Sequence, residues 1–301
     1  MLPEFPDGDA PLLPHKSYRK DPEHGWTYGN HPAFTPDLQR ELEAALLRHK
    51  NAFAYQLADL PGYTGDIPPF EIKLTHDKPI FSSQRRHSPL ENEVKDKKCL
   101  ELLQAGFICQ APPECQYASD ATMPAKKDPD GNYTDMRMCK DYRRLNEATV
   151  PDRYGMHYPE DLFRSCAGST IFSKLDCRSG FLQLPIAPDD QPKSAFWWRN
   201  VLHMYKRVPF GVRNGPSHFQ KVVDREIAKA GLGYCAISYI DDIIIHSTCP
   251  RQHIADSVAV LKMLHSCGMR AHPDKSIFGA SVLEYRATTS LPMACRPTPP
   301  R

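Results

Sequence analysis

An α+β fold is predicted for this 301-residue chain. Three observations predict it: amphipathic stretches at helical spacing, short apolar runs broken by hairpin-type turns, and an Asp-Asp pair between two apolar runs. Residues 1–33 are rich in Pro, Gly, His and Asp, lack a sustained apolar period, and predict an irregular lead-in. Residues 34–106 predict helices and a linker. Thr35-Pro36 supplies an N-cap and first helical residue, followed by Leu38, Leu42, Ala45 and Leu46 at helical spacing. Ser88-Pro89-Leu90-Glu91 is a capping-box arrangement that opens a second helix, with Leu90, Val94, Leu100 and Leu103 on its face and Gly106 at its end.

Residues 107–285 predict the main domain. From 107 to 150 short runs are broken by Pro-Pro and Asp-Pro-Asp-Gly, and Asp130-Gly131 predicts a hairpin turn in a small antiparallel sheet. The run Ile171 to Leu175 predicts a strand, followed by a turn and a short element ending near Ile186. Residues 216 to 230 predict a helix with Phe219, Val222, Val223 and Ile227 on one face. Tyr234 to Ser247 predicts two strands meeting at Asp241-Asp242, and residues 252 to 267 a last helix carrying Ile254, Val258, Leu261 and Leu264. Residues 286–301 are a divergent tail.

Composition excludes several classes. Lys plus Arg number 38 against 36 Asp plus Glu, so no polybasic segment announces a nucleic-acid partner and such a claim must rest on motifs. Ten cysteines without a C-x-x-C pair read as reduced thiols, and no secretory h-region opens the chain. The apolar runs fall far short of the roughly 20 residues a membrane span needs. These features predict a soluble intracellular protein with no membrane contact, and leave cytoplasm against nucleus open.

The chemistry centres on Cys235 to Ser247, where Asp241 and Asp242 lie between runs that read as buried strands. Burying strands around two carboxylates is costly unless the charges are compensated, and a bound cation is the simplest compensation. The bland alternative is a solvated, idle turn. Asp176 ends the strand that starts at Ile171. Phosphoryl transfer needs positioning and charge neutralisation, which two metals about 3.5 to 4 Å apart provide. Mg2+ takes a few carboxylates plus substrate oxygens, so three aspartates suffice. His246 and His253 lack a third ligand at suitable spacing and read as surface histidines.

The order of motifs from about Phe53 to Leu283 resembles the reverse transcriptases of gypsy-type long-terminal-repeat retrotransposons. The pieces are Asp59-Leu-Pro-Gly-Tyr63, Arg85-Arg86-His-Ser-Pro89, Glu101 to Ile108, Arg137 to Asn146, Phe172-Ser-Lys-Leu-Asp176, Val208-Pro-Phe-Gly211, Pro216-Ser-His-Phe219-Gln220 and Tyr239-Ile-Asp-Asp242. Each is weak alone; eight in the family's order are specific.

The resemblance implies a right-hand polymerase palm, an antiparallel sheet backed by helices, with a fingers subdomain. It implies an RNA-directed DNA polymerase that adds dNTPs to a primer on an RNA or DNA template. Asp176, Asp241 and Asp242 would then be the catalytic ligands of two Mg2+ ions, with Mn2+ as a possible substitute. Lys126 and Arg137 match the fingers residues over the incoming triphosphate, with Lys127 beside them. Phe181 matches the aromatic residue beneath the sugar, where its bulk would exclude a 2′-hydroxyl. Phe210 and Gly211 match the segment approaching base and ribose, and Tyr239 the residue at the primer end. Asp141 and Arg143 read as a supporting salt bridge.

The resemblance also has gaps. Leu283-Glu284-Tyr285 stands where the family has a Leu-Gly-His type turn, and no thumb, connection, RNase H or protease motif is present. The chain reads as a fragment of an element, and the rival expectation is a catalytically silent remnant that at most binds nucleic acid. An unrelated palm polymerase using RNA precursors is opposed by Phe181.

Overall fold

The computed structural model describes residues 18–127, 133–136, 138–155, 159–239 and 242–283. Of Lys126 and Lys127 it describes only the backbone. Among the described residues the largest sheet has six strands, in the order Arg19–Lys20, Thr27–Tyr28, Ile277–Ala280, Ile171–Asp176, Asp242–Ser247, Ala236–Tyr239. Neighbouring strands are antiparallel except Thr27–Tyr28 and Ile277–Ala280, which run parallel.

The central strands alternate faces, as the period of two requires. Ile171, Ser173 and Leu175, with Ile243, Ile245 and Ser247 opposite them, point into the main core and are buried. Two helices cover this side. Gly215–Lys229 buries Phe219, Val222, Val223 and Ile227, the stripe its spacing predicts. Pro250–Ser266 buries Ile254, Val260, Leu261 and Leu264. Against the latter packs the helix Pro36–Arg48, whose Thr35 hydroxyl accepts the Leu38 N–H and whose Leu42, Ala45 and Leu46 are buried. The opposite face carries a smaller cluster of Leu162, Cys166, Phe172 and Ile244 under the helix Pro159–Ser165.

The described part of the lead-in differs from the expected irregular segment. Residues 18–31 form a strap on the sheet edge: Thr27 N–H donates to Ser276 O at 2.9 Å and Gly29 N–H to Phe278 O at 2.6 Å. Trp26 and Tyr28 are 0% and 2% exposed. Two isolated aromatic anchors, not a periodic pattern, dock it, which is why periodicity misses it.

The fingers differ too. The helix Pro89–Gln104 has the predicted capping box, Ser88 N–H donating to Glu91 Oε2 at 2.7 Å. Its buried residues, however, are Lys95, Cys99 and Leu102, while Leu90, Leu100 and Leu103 are exposed. Polar pairing turns this helix: Lys95 lies 3.6 Å from the buried Asp120, and Trp198 Nε1–H donates to Asp96 at 2.6 Å. The expected small sheet is split into separate pieces: Ile108–Gln110 joins Val201–Tyr205 and Phe196–Trp198, and Ala121–Thr122 pairs with Cys139–Lys140. The strands Ala125–Lys127 and Tyr133–Met136 form the predicted hairpin, whose Asp130-Gly131 turn lies outside the described residues. The nine cysteines among the described residues form no disulfide, and no helix among those residues is long and apolar enough to cross a membrane.

Candidate active site

Asp176 ends its strand directly opposite Asp242, the first described residue of the neighbouring strand. Opposed residues share a face with Cβ atoms roughly 5 Å apart, so the two carboxylates sit side by side. Tyr239 pairs with Asp242 from the other flank. Asp241 and Ile240 lie outside the described residues, and among the described residues no group of three or more His, Cys, Asp or Glu side chains forms a metal cluster.

Lysines meet both carboxylates. Lys174 Nζ is 2.7 Å from Asp242 Oδ2, and Lys275 Nζ is 3.1 Å from Asp176 Oδ2. Burial lifts the Asp242 carboxyl above its ordinary value, and the Asp176 charge adds to this against the pull of Lys174 and Lys275. The donor set therefore fits a hard divalent cation: paired carboxylate oxygens on one face, in surroundings where only positive charge offsets their ionisation. Sequence reasoning missed both lysines. Lys174 was readable, because residues two apart on a strand share a face; Lys275 comes from the 3-10 turn Pro273–Lys275, 99 residues beyond Asp176, with no local signal.

The turn after Asp176 is sharply held. Ser179 has φ 50°, and Gly180–Gln183 forms a 3-10 turn. Gln183, fully buried, donates from Nε2 to Arg178 O and Arg270 O at 2.8 Å each, and accepts the Arg270 N–H at 2.7 Å. His272 N–H donates to Asp176 O at 2.7 Å. This turn carries Phe181, 7% exposed, with its ring centroid 5.1 Å from Phe210 and 5.8 Å from Phe219. Phe210 is half exposed. Gly211 has φ +95°, a conformation that favours glycine. Phe210 and Gly211 line a cavity of about 540 Å³ shared with Ser179, Leu182, Met136 and Lys140.

The structure thus brings together Asp176, Asp242 and Tyr239 on neighbouring strands, and as a second group Phe181 against Phe210, which lines one cavity with Gly211 and with Ser179 of the turn that follows Asp176. Arg137 and the side chain of Lys126 lie outside the described residues. Arg143 makes a two-pronged bond to Asp141, at 2.8 and 2.7 Å, and Arg85 reaches the same carboxylate at 3.1 Å. His253 and His246 correct the sequence expectation: they are 0% and 7% exposed, not surface residues, because serine hydroxyls partner their rings inside the fold. From the helix Gly215–Lys229, Gln220 Nε2–H donates to Ser238 Oγ on the hairpin strand at 2.7 Å and to Asp224 at 2.8 Å, a helix-to-strand clamp that the spacing of Pro216 to Gln220 did not reveal.

A sheet with paired carboxylates at the mouth of a strand hairpin, backed by helices and flanked by a fingers subdomain, is the palm arrangement of nucleic-acid polymerases. Residues 125–289 match the family described as "Reverse transcriptase (RNA-dependent DNA polymerase)", and the chain belongs to that family. It is 30% identical over 277 residues to the retrovirus-related Pol polyprotein from transposon gypsy of Drosophila melanogaster, covering 89% of this chain and 26% of the relative. It is 30% identical over 199 residues to the enzymatic polyprotein of Cauliflower mosaic virus (strain NY8153), covering 66% of this chain and 28% of the relative. The chain thus spans about a quarter of the curated relatives it matches. Among solved structures, prototype foamy virus protease-reverse transcriptase (CSH mutant) superposes with a TM-score of 0.72 at 21% identity, covering 84% of this chain and 32% of that one. The foamy viral enzyme in complex with RNA/DNA hybrid gives 0.71 at 20% identity, over 83% and 32%. These likenesses establish the fold.

Proposed function

We propose that this chain is an RNA-directed DNA polymerase that joins deoxynucleotides to a primer 3′-hydroxyl using Mg2+. The observation that carries the reading is the opposition of Asp176 and Asp242 across adjacent strands, on one sheet face. Asp176 and Asp242, with Asp241 next in the chain, would hold the ions. Bound there, divalent ions supply acidification of the attacking hydroxyl and neutralisation of the phosphates. The chain's own residues do the rest. Tyr239, paired with Asp242, gives the primer end a surface, and the Phe181 ring, held by Phe210 and Phe219, forms a wall against the sugar. Lys126 and Arg137 are assigned to the triphosphate, where the bidentate guanidinium suits phosphate oxygens.

A template-primer as partner is supported by the foamy viral structures of the same fold, which hold double-stranded DNA and RNA/DNA hybrid. Contacts to backbone and helix shape suit an enzyme that must copy any sequence. The test is primer extension by the purified chain on poly(rA)/oligo(dT) with Mg2+, beside Asp241→Asn. Extension by the parent and none by the variant is expected; equal extension by both would trace the activity to a contaminant and overturn the reading.

A further inference from the structure

The run Ile243-Ile244-Ile245 poses a problem of register. A strand buried on one face normally fixes its pairing by alternating apolar and polar residues, since a slip of one residue turns every side chain over. Here three consecutive isoleucines are buried, at 0%, 7% and 0% exposure, so a slip would replace isoleucine by isoleucine. The same slip would carry Asp242 from the face it shares with Asp176 to the face covered by Gly215–Lys229 and Pro250–Ser266. Something polar must set this pairing.

The polar element lies on the helix side. His253, on the helix Pro250–Ser266, is fully buried, and its Nε2 is 2.6 Å from Ser173 Oγ while its Nδ1 is 3.0 Å from Ser247 Oγ. Ser173 is three residues before Asp176 on one central strand, and Ser247 five residues after Asp242 on the other. The proton positions follow from the outer partners. Ser247 spends its hydroxyl hydrogen on Asp256 Oδ2 at 2.7 Å, so it accepts from His253 Nδ1–H. Ser173 accepts the Gly279 N–H at 3.1 Å, which leaves its own hydrogen for His253 Nε2. The chain of donors then runs one way, from Gly279 through Ser173, His253 and Ser247 to Asp256, with a neutral imidazole at its centre. Asp256 is completed by Tyr234 at 3.0 Å and Gln252 at 2.8 Å. The ring thus joins a helix to two strands, and the Ser173 hydroxyl ties in a third, Ile277–Ala280, which follows the 3-10 turn bearing Lys275.

We infer that His253 is a positioning residue, whose imidazole, bonded to Ser173 and Ser247, pins the two central strands in the register that sets Asp176 opposite Asp242. Its action passes through the sheet, from the helix side to the carboxylate side, and touches no substrate. Burial holds the ring below its ordinary histidine value, at about 4, consistent with the neutral form. The inference rests on the polymerase reading of the aspartates.

The test uses the full 301-residue chain with Ser173→Ala, Ser247→Ala, His253→Phe and the conservative His253→Gln, whose amide retains one donor and one acceptor. Two quantities are measured: Mn2+ affinity by electron paramagnetic resonance titration, and turnover per active site after burst titration, with KM for dNTP. Weakening of Mn2+ binding by about tenfold, the low end for groups that orient metal ligands, is expected in the alanine variants. A comparable fall in turnover per site, an unchanged KM and partial recovery in His253→Gln should accompany it. If His253→Phe does not fold, the two alanine variants decide. Variants with fewer active molecules but parental Mn2+ affinity and turnover per site would overturn the inference alone, leaving a merely structural histidine. A parent chain that neither binds Mn2+ nor extends primers would overturn the polymerase reading and this inference with it.

Discussion

Asp176 and Asp242 face one another across adjacent antiparallel strands, and Lys275 and Lys174 neutralise them one each. Because burial lifts the Asp242 carboxyl, ionising it works against the fold. Asp242→Asn is therefore expected to leave stability unchanged or to raise it by up to about 1 kcal/mol, as at other sites where function is bought with stability. Primer extension should fall by at least about a hundredfold, the scale on which a single transition-state-stabilising group acts. Thermal unfolding and a steady-state extension assay check the two halves; loss of both fold and activity would contradict the first.

Phe181 is wedged between Phe210 and Phe219 with little exposure. Phe181→Val opens space where a 2′-hydroxyl would lie. Use of ribonucleotides relative to deoxynucleotides should rise by about tenfold or more, the usual worth of such a steric contact. Competing kcat/KM values for rNTP and dNTP measure it, and an unchanged ratio would remove Phe181 from this role.

Acid stability has a defined sign. Burial holds both His218 and His253 at about 4 against an ordinary 6.5. Between these values the unfolded chain binds protons that the folded chain refuses, so stability falls as pH drops from 6.5 to 4 and levels off below that. Each histidine accounts for about 3 kcal/mol at most, from roughly 1.36 kcal/mol per pKa unit. Urea midpoints measured from pH 7 to pH 4 should show this decline, and His253→Gln should make it shallower.

Lys140 is a further case of a charge the fold disfavours. Its Nζ lies 3.3 Å over the Phe196 ring, and burial brings it down to about 7. From 7 up to its ordinary 10.5 the unfolded chain binds the extra proton, so stability should rise with pH in that window. Lys140→Met, matched in length, should stabilise the protein at pH 7 by about 1 to 3 kcal/mol, as replacements of buried charge do. It should also flatten the alkaline rise; a destabilised variant would show that the cation over the ring is net favourable.

Most helices were legible because their signals are local. Thr35-Pro36 and Ser88 to Glu91 cap helices as written, and the stripe Phe219, Val222, Val223, Ile227 is buried as spaced. The central hairpin was legible for the same reason, since two apolar runs flank its aspartates. What stayed hidden depends on partners far along the chain. The buried face of Pro89–Gln104 is chosen by Asp120 and Trp198, and Ser173 to His253 spans 80 positions. His253 looked like a surface residue because nothing beside it in sequence discloses two serines waiting in the core.

The strap of residues 18–31 rests on a single missing methyl group. A Cβ at Gly29 would sit 2.4 Å from the Ala280 backbone, so any larger residue forces the two chains apart. With Gly29→Ala the amides and carbonyls along Ile277–Ala280 would lose their cover and become a bare sheet edge, which is a template for pairing with another molecule. The accessibility of the strand Ile277–Ala280 thus depends on one glycine, and amide hydrogen exchange along that strand should quicken in Gly29→Ala.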